Sequence, residues 1–224
     1  MIFNLAKDYI DPENLYYSED AKDFSIGGYH PAFTGEILNH RYVLLKKLGI
    51  GTYASCWLAR DCLMDIFVSI KIHKSAPYYL ESAFDECEML QLTNKKVADR
   101  EWNRKVAEHF PDEVIENEGF VVNLLNSFVH FGPNGNHFCM VLELLGPSLA
   151  QIMSKIDKDK LSPKIYERVT KQTLLGLHFL HDFCSIIHTD IKAENVLLSL
   201  PLEETERIIT EEVEHTKLIT SKSV

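Results

Sequence analysis

His188-Thr189-Asp190-Ile191-Lys192-Ala193-Glu194-Asn195 packs an acid, a cation and a carboxamide at fixed short spacing between two apolar runs. No other segment of the chain does so. The combination points to a phosphoryl-transfer loop: Asp190 stands five positions before Asn195, and Lys192 lies between them where a cation can meet a phosphate. Upstream of this loop the hydrophobic period is helical. Ser148 can cap a helix carrying Leu149, Ile152, Met153 and Ile156, and Ser162-Pro163 opens a longer one with Ile165, Val169, Leu174, Leu177 and Leu180.

Before Pro147 the period is two. Arg41 to Leu48, Ala54 to Ala59 and Ile66 to Ile72 are rich in β-branched, aromatic and aliphatic residues. They predict a strand, a glycine turn and two further strands in a meander. Val121 to Phe131 and His137 to Leu145 flank Gly132-Pro-Asn-Gly-Asn136, where Asn134-Gly135 is the favoured pair for a tight hairpin turn. Strands first and helices second predict an α+β chain in two lobes.

That context bears on Gly49-Ile50-Gly51-Thr52-Tyr53-Ala54. A dinucleotide-binding fingerprint needs a helix directly after the glycines and an acid about twenty positions on. Here a strand follows, and Lys71 stands at that distance. A plain hairpin turn fits the stretch equally well by itself, whereas a phosphate-covering turn uses its glycines to bring backbone amides to the anion. Lys71 ends an otherwise apolar strand, where burial is costly without a counter-ion. The next segment, Glu81 to Leu92, reads as a helix with Phe84, Cys87 and Leu90 or Gln91 at helical spacing. Among its acids Glu86, on the seam beside Cys87, is preferred over Asp85 and Glu88 as the partner of Lys71.

The remaining segments carry weaker signals. Residues 1–40 mix acids with turn formers and read as an extended leader lying on the domain. Residues 93–119 read as a charged insertion, with Ala98, Trp102, Val106 and Phe110 forming one apolar stripe on a mostly solvated helix. Residues 201–224, with six glutamates, read as an acidic tail or the start of a spacer. His178 and His181 are spaced to share a metal, but a third ligand is not evident and the helix around them is apolar.

Composition sets the broad class. With 46% apolar and 25% charged residues, the 224-residue chain is of globular type. Twenty-three basic against 33 acidic residues give a net charge of −10, which argues against a duplex nucleic-acid binder and allows a basic partner. Five cysteines, odd in number and without a C-x-x-C pair, fit a reducing compartment. With no signal peptide and no apolar run long enough to span a bilayer, a cytoplasmic or nuclear location is expected.

Together these residues resemble a eukaryotic protein kinase, and more closely the SR-protein kinases, which phosphorylate Arg-Ser-rich splicing factors. The resemblance runs from about Gly27 to Ser199 and rests on Gly27-Gly-Tyr-His-Pro31, Lys47-Leu-Gly49, Val68-Ser-Ile-Lys71, His137 to Gly146 and above all Ile187-His-Thr-Asp-Ile-Lys192. It implies a two-lobed kinase fold with a β-rich N-lobe and hinge over 41–146 and a partial helical C-lobe over 147–200. It also implies ATP and Mg²⁺ as cofactors, and basic Arg/Ser-rich proteins as substrates. By the same resemblance Asp190 accepts the serine hydroxyl proton, Lys192 steadies the transferred phosphoryl group and Asn195 binds Mg²⁺. Lys71, paired with Glu86, holds the ATP phosphates. Leu48, Gly49, Gly51, Ala54 and Cys56 line the nucleotide. Leu142 backs the adenine pocket, and backbone groups of Glu143 and Leu145 bond the adenine edge.

Several departures from the family pattern stand out. Ile50 replaces a Trp in the glycine turn, Ala54 takes the third small position and Ala193 replaces a Pro. Thr189 stands where most kinases have the Arg that pairs with an activation-loop phosphate, which implies activity independent of that phosphorylation. No Asp-Phe-Gly occurs in the 224 residues. The expectation is therefore a C-terminally truncated kinase with little activity by itself, the helix from Ile165 to Phe183 leaving an apolar face uncovered. The alternative is a non-catalytic kinase-like nucleotide-binding or interaction module, or an inactive remnant.

Overall fold

The structure, a computed structural model, describes residues 21–155 and 162–199. Six antiparallel strands form one sheet in the order β1-β2-β3-β4-β6-β5. They are β1 (Ile37–Leu38), β2 (Tyr42–Ile50), β3 (Ala54–Asp61), β4 (Ile66–His73), β5 (Leu124–Gly132) and β6 (Gly135–Glu143). The three-strand meander over 41–72 and the later hairpin form as their period-two patterns predict. The hairpin turn sits one residue earlier than predicted. Gly132 pairs with Gly135, so Pro133 and Asn134 are the loop residues, and Gly135 takes φ 129° as a strand residue.

Each sheet face has its own cover. Tyr42, Leu44, Trp57, Ala59, Val68, Ile70, Ile72, Cys139 and Val141 alternate onto one face and make the first core cluster. Part of the leader lies on that face: Leu38 is fully buried there and Ala32 packs against it. The two-residue strand β1 within the leader was not foreseen. Its register with β2, Ile37 to Val43 and Leu38 to Tyr42, extends the sheet at its edge. The hairpin tip grips the leader as well, since Asn134 Nδ2 donates to the carbonyls of Phe24 and Tyr29 while its own carbonyl accepts from Gly27 N.

The opposite face receives α1 (Pro77–Lys96), longer at both ends than the predicted Glu81 to Leu92. Pro77 at its first turn needs no amide partner there. Ala83 and Cys87 are buried against Leu124, Phe138 and Met140, with Leu80 and Leu90 beside them. Phe84 remains half exposed at the edge of this interface while its ring lies 4.6 Å from that of Phe138.

The charged insertion differs from expectation. Its helix α2 (Arg100–His109) is capped by Asp99, whose side chain accepts from the amides of Glu101 and Trp102. Trp102, Val106 and Phe110 are buried, but Ala98 is exposed and Val97 packs inward in its place. The stripe is not solvated. It docks on Leu175, Phe179 and Cys184 of the helical region, tying the end of α1 to α4 (Pro163–His178). Arg168 on α4 closes the seam with a bidentate pair to Glu113 at 2.9 and 2.7 Å.

The helical region begins with α3 (Leu149–Lys155). Ser148 Oγ accepts from Gln151 N, and Gln151 Oε1 accepts from Ser148 N, a reciprocal capping box. At the end of α4 the chain widens into a π-helical turn, Phe179–Phe183. Ile165, Tyr166 and Leu174 on α4 are exposed, whereas Leu175 and Gly176 are buried, so the buried face of this helix is not the predicted stripe through Ile165 and Leu174, two residues that lie on opposite sides of the helix. Ile156 and residues 1–20 and 201–224 lie outside the described residues, as do the readings made for them. Among the described residues no helix is long and apolar enough to cross a membrane. All five cysteines are free thiols.

One ion pair with a buried carboxylate anchors the sheet. Asp61, with 4% of its side chain exposed, accepts a bidentate pair from Arg41 at 2.8 and 2.7 Å and bonds from the amides of Leu63 and Met64. The Arg41 guanidinium beside it holds this carboxyl below its ordinary range. A lowered folded-state pKa gives stability that is present above the unfolded pKa and lost as pH falls through the folded one. Asp61→Ala is expected to cost about 2 kcal/mol at pH 7. Urea melts should show the gap from wild type narrowing below about pH 4. A pH-independent gap would remove the electrostatic explanation.

Candidate active site

Lys71 owes its position to strand alternation. Val68, Ile70 and Ile72 point into the first core, so Lys71 between them points to the α1 side, flanked in register by Cys56 and Met140. From α1, Glu86 meets it: Nζ lies 2.6 Å from Oε1 and 2.8 Å from Oε2. The pair is partly exposed, with 26% of the lysine and 40% of the glutamate side chain open to solvent. His73 Nε2 is 4.0 Å from Glu86, but burial, and secondly the Lys71 charge, push its pKa down to about 4. It is therefore neutral at pH 7 and leaves Glu86 to Lys71. Burial also pushes the Cys56 thiol up, which keeps it unreactive beside the lysine.

The glycine turn between β2 and β3 closes by a bond from Gly51 N to Ala54 O at 2.8 Å. A Cβ at Gly49 would meet nothing within 4 Å, and one at Gly51 only the Ala54 carbonyl at 3.8 Å. Neither has a positive φ. The fold itself thus makes no demand for glycine here, and the space above the turn is open to an anion. From the leader, the Tyr29 hydroxyl donates to Gly51 O and fixes the turn from behind. Leu48 is half exposed at the turn's entry and Ala54 is buried at its exit.

Beyond β6 the chain leaves the sheet at Glu143, which pairs with Val68, while Leu142 pairs with Ser69 and Leu124. The Glu143 carboxylate accepts from Asn123 N at 2.7 Å and Asn123 Nδ2 at 2.9 Å, and burial raises its pKa. Leu145 is partly buried. The following residues zip onto the chain after the loop. Gly146 N donates to Leu198 O, Leu198 N to Pro147 O and Leu149 N to Val196 O, at 2.7, 3.0 and 2.7 Å.

Asp190 is presented by a strained turn. Its amide donates to His188 O at 2.9 Å across Thr189, a β-branched residue held at φ 62°. A three-residue turn of this hand is rare and costly, and such strain concentrates at functional sites. Asp190 Oδ2 accepts from Lys192 Nζ and Asn195 Nδ2, both at 2.9 Å, and Asn195 Nδ2 also reaches the Asp190 carbonyl. The Lys192 ammonium, and then the Asn195 amide, hold the Asp190 carboxyl below its ordinary range. Asn195 turns its nitrogen to Asp190, leaving Oδ1 as the atom able to take a cation.

The predicted residues thus fall into two groups, Lys71 with Glu86 and Asp190 with Lys192 and Asn195. Among the described residues no hydrogen bond joins one group to the other. Sequence reasoning did not single out two residues. Tyr29 is one, although its neighbours Gly27-Gly28 marked an unusual segment. Leu197, half exposed and bridged to Ser148 just before α3, is the other, and its apolar run gave no sign of exposure. His178 accounts for itself structurally: its ring packs on Trp102 and Phe183 and it pairs with Asp182.

The chain matches the protein kinase domain over residues 42–209. It is 37% identical to protein kinase dsk1 of Schizosaccharomyces pombe over 193 residues, 86% of this chain and 33% of that protein. It is 40% identical to serine/threonine-protein kinase SRPK of Physarum polycephalum over 191 residues, 84% of this chain and 41% of that protein. SRSF protein kinase 3 of Homo sapiens is 38% identical over 196 residues, 88% of this chain and 32% of that protein. The chain therefore spans about a third of the length of these curated relatives. A crystal structure of a kinase domain superposes with TM-score 0.61 at 24% identity, covering 77% of this chain and 44% of the other, which shows the likeness of fold.

Proposed function

The chain belongs to the protein kinase family, and from that premise we propose that it is a serine/threonine kinase of SR-protein kinase type. Its reaction is transfer of the ATP γ-phosphoryl group to serine in basic Arg/Ser-rich proteins, splicing factors among them. The observation that carries this reading is the convergence of Lys192 and Asn195 on Asp190 at 2.9 Å each. In this reading residues 41–146 are the nucleotide lobe and hinge, with 93–119 inserted in it. Residues 147–200 belong to the substrate lobe, 1–40 are a leader and 201–224 an acidic tail or the start of a spacer.

The residues present fit ATP and Mg²⁺. The open space over Gly49 and Gly51 admits phosphates, and Lys71, oriented by Glu86, supplies the cation for them. Leu48, Ala54, Cys56 and Leu142 would surround the base, with the backbone of Glu143 and Leu145 along its edge. Asn195 Oδ1 would hold Mg²⁺, which when bound neutralises charge on the phosphates. Asp190, ionised at neutral pH, orients the serine hydroxyl and takes its proton. Lys192 rests on Asp190 without substrate and has a transferring phosphoryl group as its alternative partner. The net charge of −10 favours a basic substrate, and no direct contact with nucleic acid or membrane is proposed. The cytoplasm or nucleus is the proposed location.

Lys71→Met tests the nucleotide half directly. Loss of one charge-assisted contact should weaken ATP binding about 10- to 100-fold in calorimetric titration with Mg²⁺ present. Unchanged affinity would sink the assignment of Lys71. Tight ATP binding by the protein without transfer to an Arg-Ser peptide assigns instead a kinase-like nucleotide-binding module.

A further inference from the structure

We propose that His30, Glu36 and His130 form a zinc site that fastens the leader to the outer face of the sheet. The three come from different places: His30 and Glu36 from the leader, His130 from β5. His30 Nε2 lies 2.8 Å from Glu36 Oε1, and His130 Nε2 lies 3.7 Å from the same oxygen. One ligand atom from each falls within 4.8 Å of the other two. Bonds of about 2.0–2.1 Å in a tetrahedral shell put ligand atoms roughly 3.3 Å apart, a value the two measured separations bracket. Two imidazoles and a carboxylate are a borderline-hard donor set that suits Zn²⁺, whereas Mg²⁺ prefers an octahedron of oxygens.

The surroundings are those of a built site. The three side chains are 4, 14 and 18% exposed. The His30 and His130 rings meet edge to face with centroids 4.4 Å apart. His137, fully buried, lies behind them with its ring 5.2 Å from His30. Its Nδ1 is bonded to His73 O, while its Nε2 and His30 Nδ1 have no hydrogen-bond partner. The chain also makes room here, since a Cβ at Gly132 would stand 2.6 Å from His30 Nδ1. A simple bond between His30 and Glu36 accounts for the 2.8 Å contact. It does not account for a second imidazole turned to the same oxygen. The site lies on the face that holds the first core, away from Lys71 and Glu86, so it is independent of the nucleotide site.

The test uses the full-length protein, stripped with a chelator and titrated with ZnCl₂. Metal content after gel filtration and thermal melting are both read. One zinc per chain and a raised Tm are expected, with no comparable shift from MgCl₂. His130→Ala and Glu36→Gln, checked for folding by circular dichroism, should each weaken zinc binding by more than about 100-fold, beyond the range that loss of an outer contact alone produces. His181→Ala, an exposed histidine elsewhere, should not. Co²⁺ in place of zinc should give the visible absorption of a four-coordinate ion, lost in both ligand variants. Failure of the wild type to retain zinc overturns the proposal, as does zinc binding that survives both ligand variants.

Discussion

Asp190→Asn, introduced into a chain extended through an Asp-Phe-Gly segment, is expected to slow phosphoryl transfer to an Arg-Ser peptide by roughly 10²–10⁴-fold, the range of a general base, with ATP affinity nearly unchanged. The substitution keeps the shape of the side chain and an oxygen for the amide of Asn195, so the turn at Thr189 should persist. What disappears is the anionic oxygen that Lys192 and Asn195 both face at 2.9 Å. Single-turnover measurement is the proper readout, because product release often limits steady-state rates. In the wild type, the lowered pKa of Asp190 keeps the base ionised down into the acid range. The acid limb of the pH–rate profile should therefore begin below the usual carboxylate region and vanish in the variant. An unchanged single-turnover rate would remove Asp190 from the chemistry.

Trp102→Ala should be the costliest single change to the fold, about 3–5 kcal/mol by loss of a fully buried indole. Trp102 has no exposed surface, its Nε1 donates to Glu118 O at 2.8 Å, and its ring lies 4.9 Å from Phe179 and 5.3 Å from Phe183. The truncation opens a cavity, strands a carbonyl and unfastens α2 from α4 together. Arg168→Ala is the comparison, because its pair with Glu113 is exposed and screened by solvent and so contributes little. Urea denaturation followed by tryptophan fluorescence of Trp57 separates the two. A Trp102→Ala midpoint close to wild type would mean that the insertion does not dock as described.

Why some features were legible in the sequence and others not follows from separation along the chain. Asp190, Lys192 and Asn195 lie within six residues, so spacing alone brings them near one another. Lys71 and Glu86 are fifteen apart, but each is fixed by its own periodicity, a strand ending in a lysine and a helix presenting an acid on its seam. Such local rules placed the meander, α1 and the hairpin. They could not say what covers a surface. The stripe of Trp102, Val106 and Phe110 was visible, yet the many charges around it suggested a solvated helix, and only the fold supplies Leu175 and Phe179 as its cover. The leader was harder still. Strand β1, the bond from Tyr29 to Gly51 and the meeting of His30, Glu36 and His130 depend on contacts that no local pattern encodes. The turn at Pro133-Asn134 shows the remaining limit, a favoured dipeptide displaced by one residue through the register of its strands.

The grip of Asn134 on the carbonyls of Phe24 and Tyr29 spans 110 and 105 residues. On a ribosome adding about 5–20 residues per second, roughly 5–20 s separate the emergence of the leader from that of the hairpin that holds it. Through that interval the leader is already outside the tunnel with nothing to dock on. Its attachment is therefore a late event of biosynthesis, set by translation of the hairpin rather than by its own earlier place in the sequence.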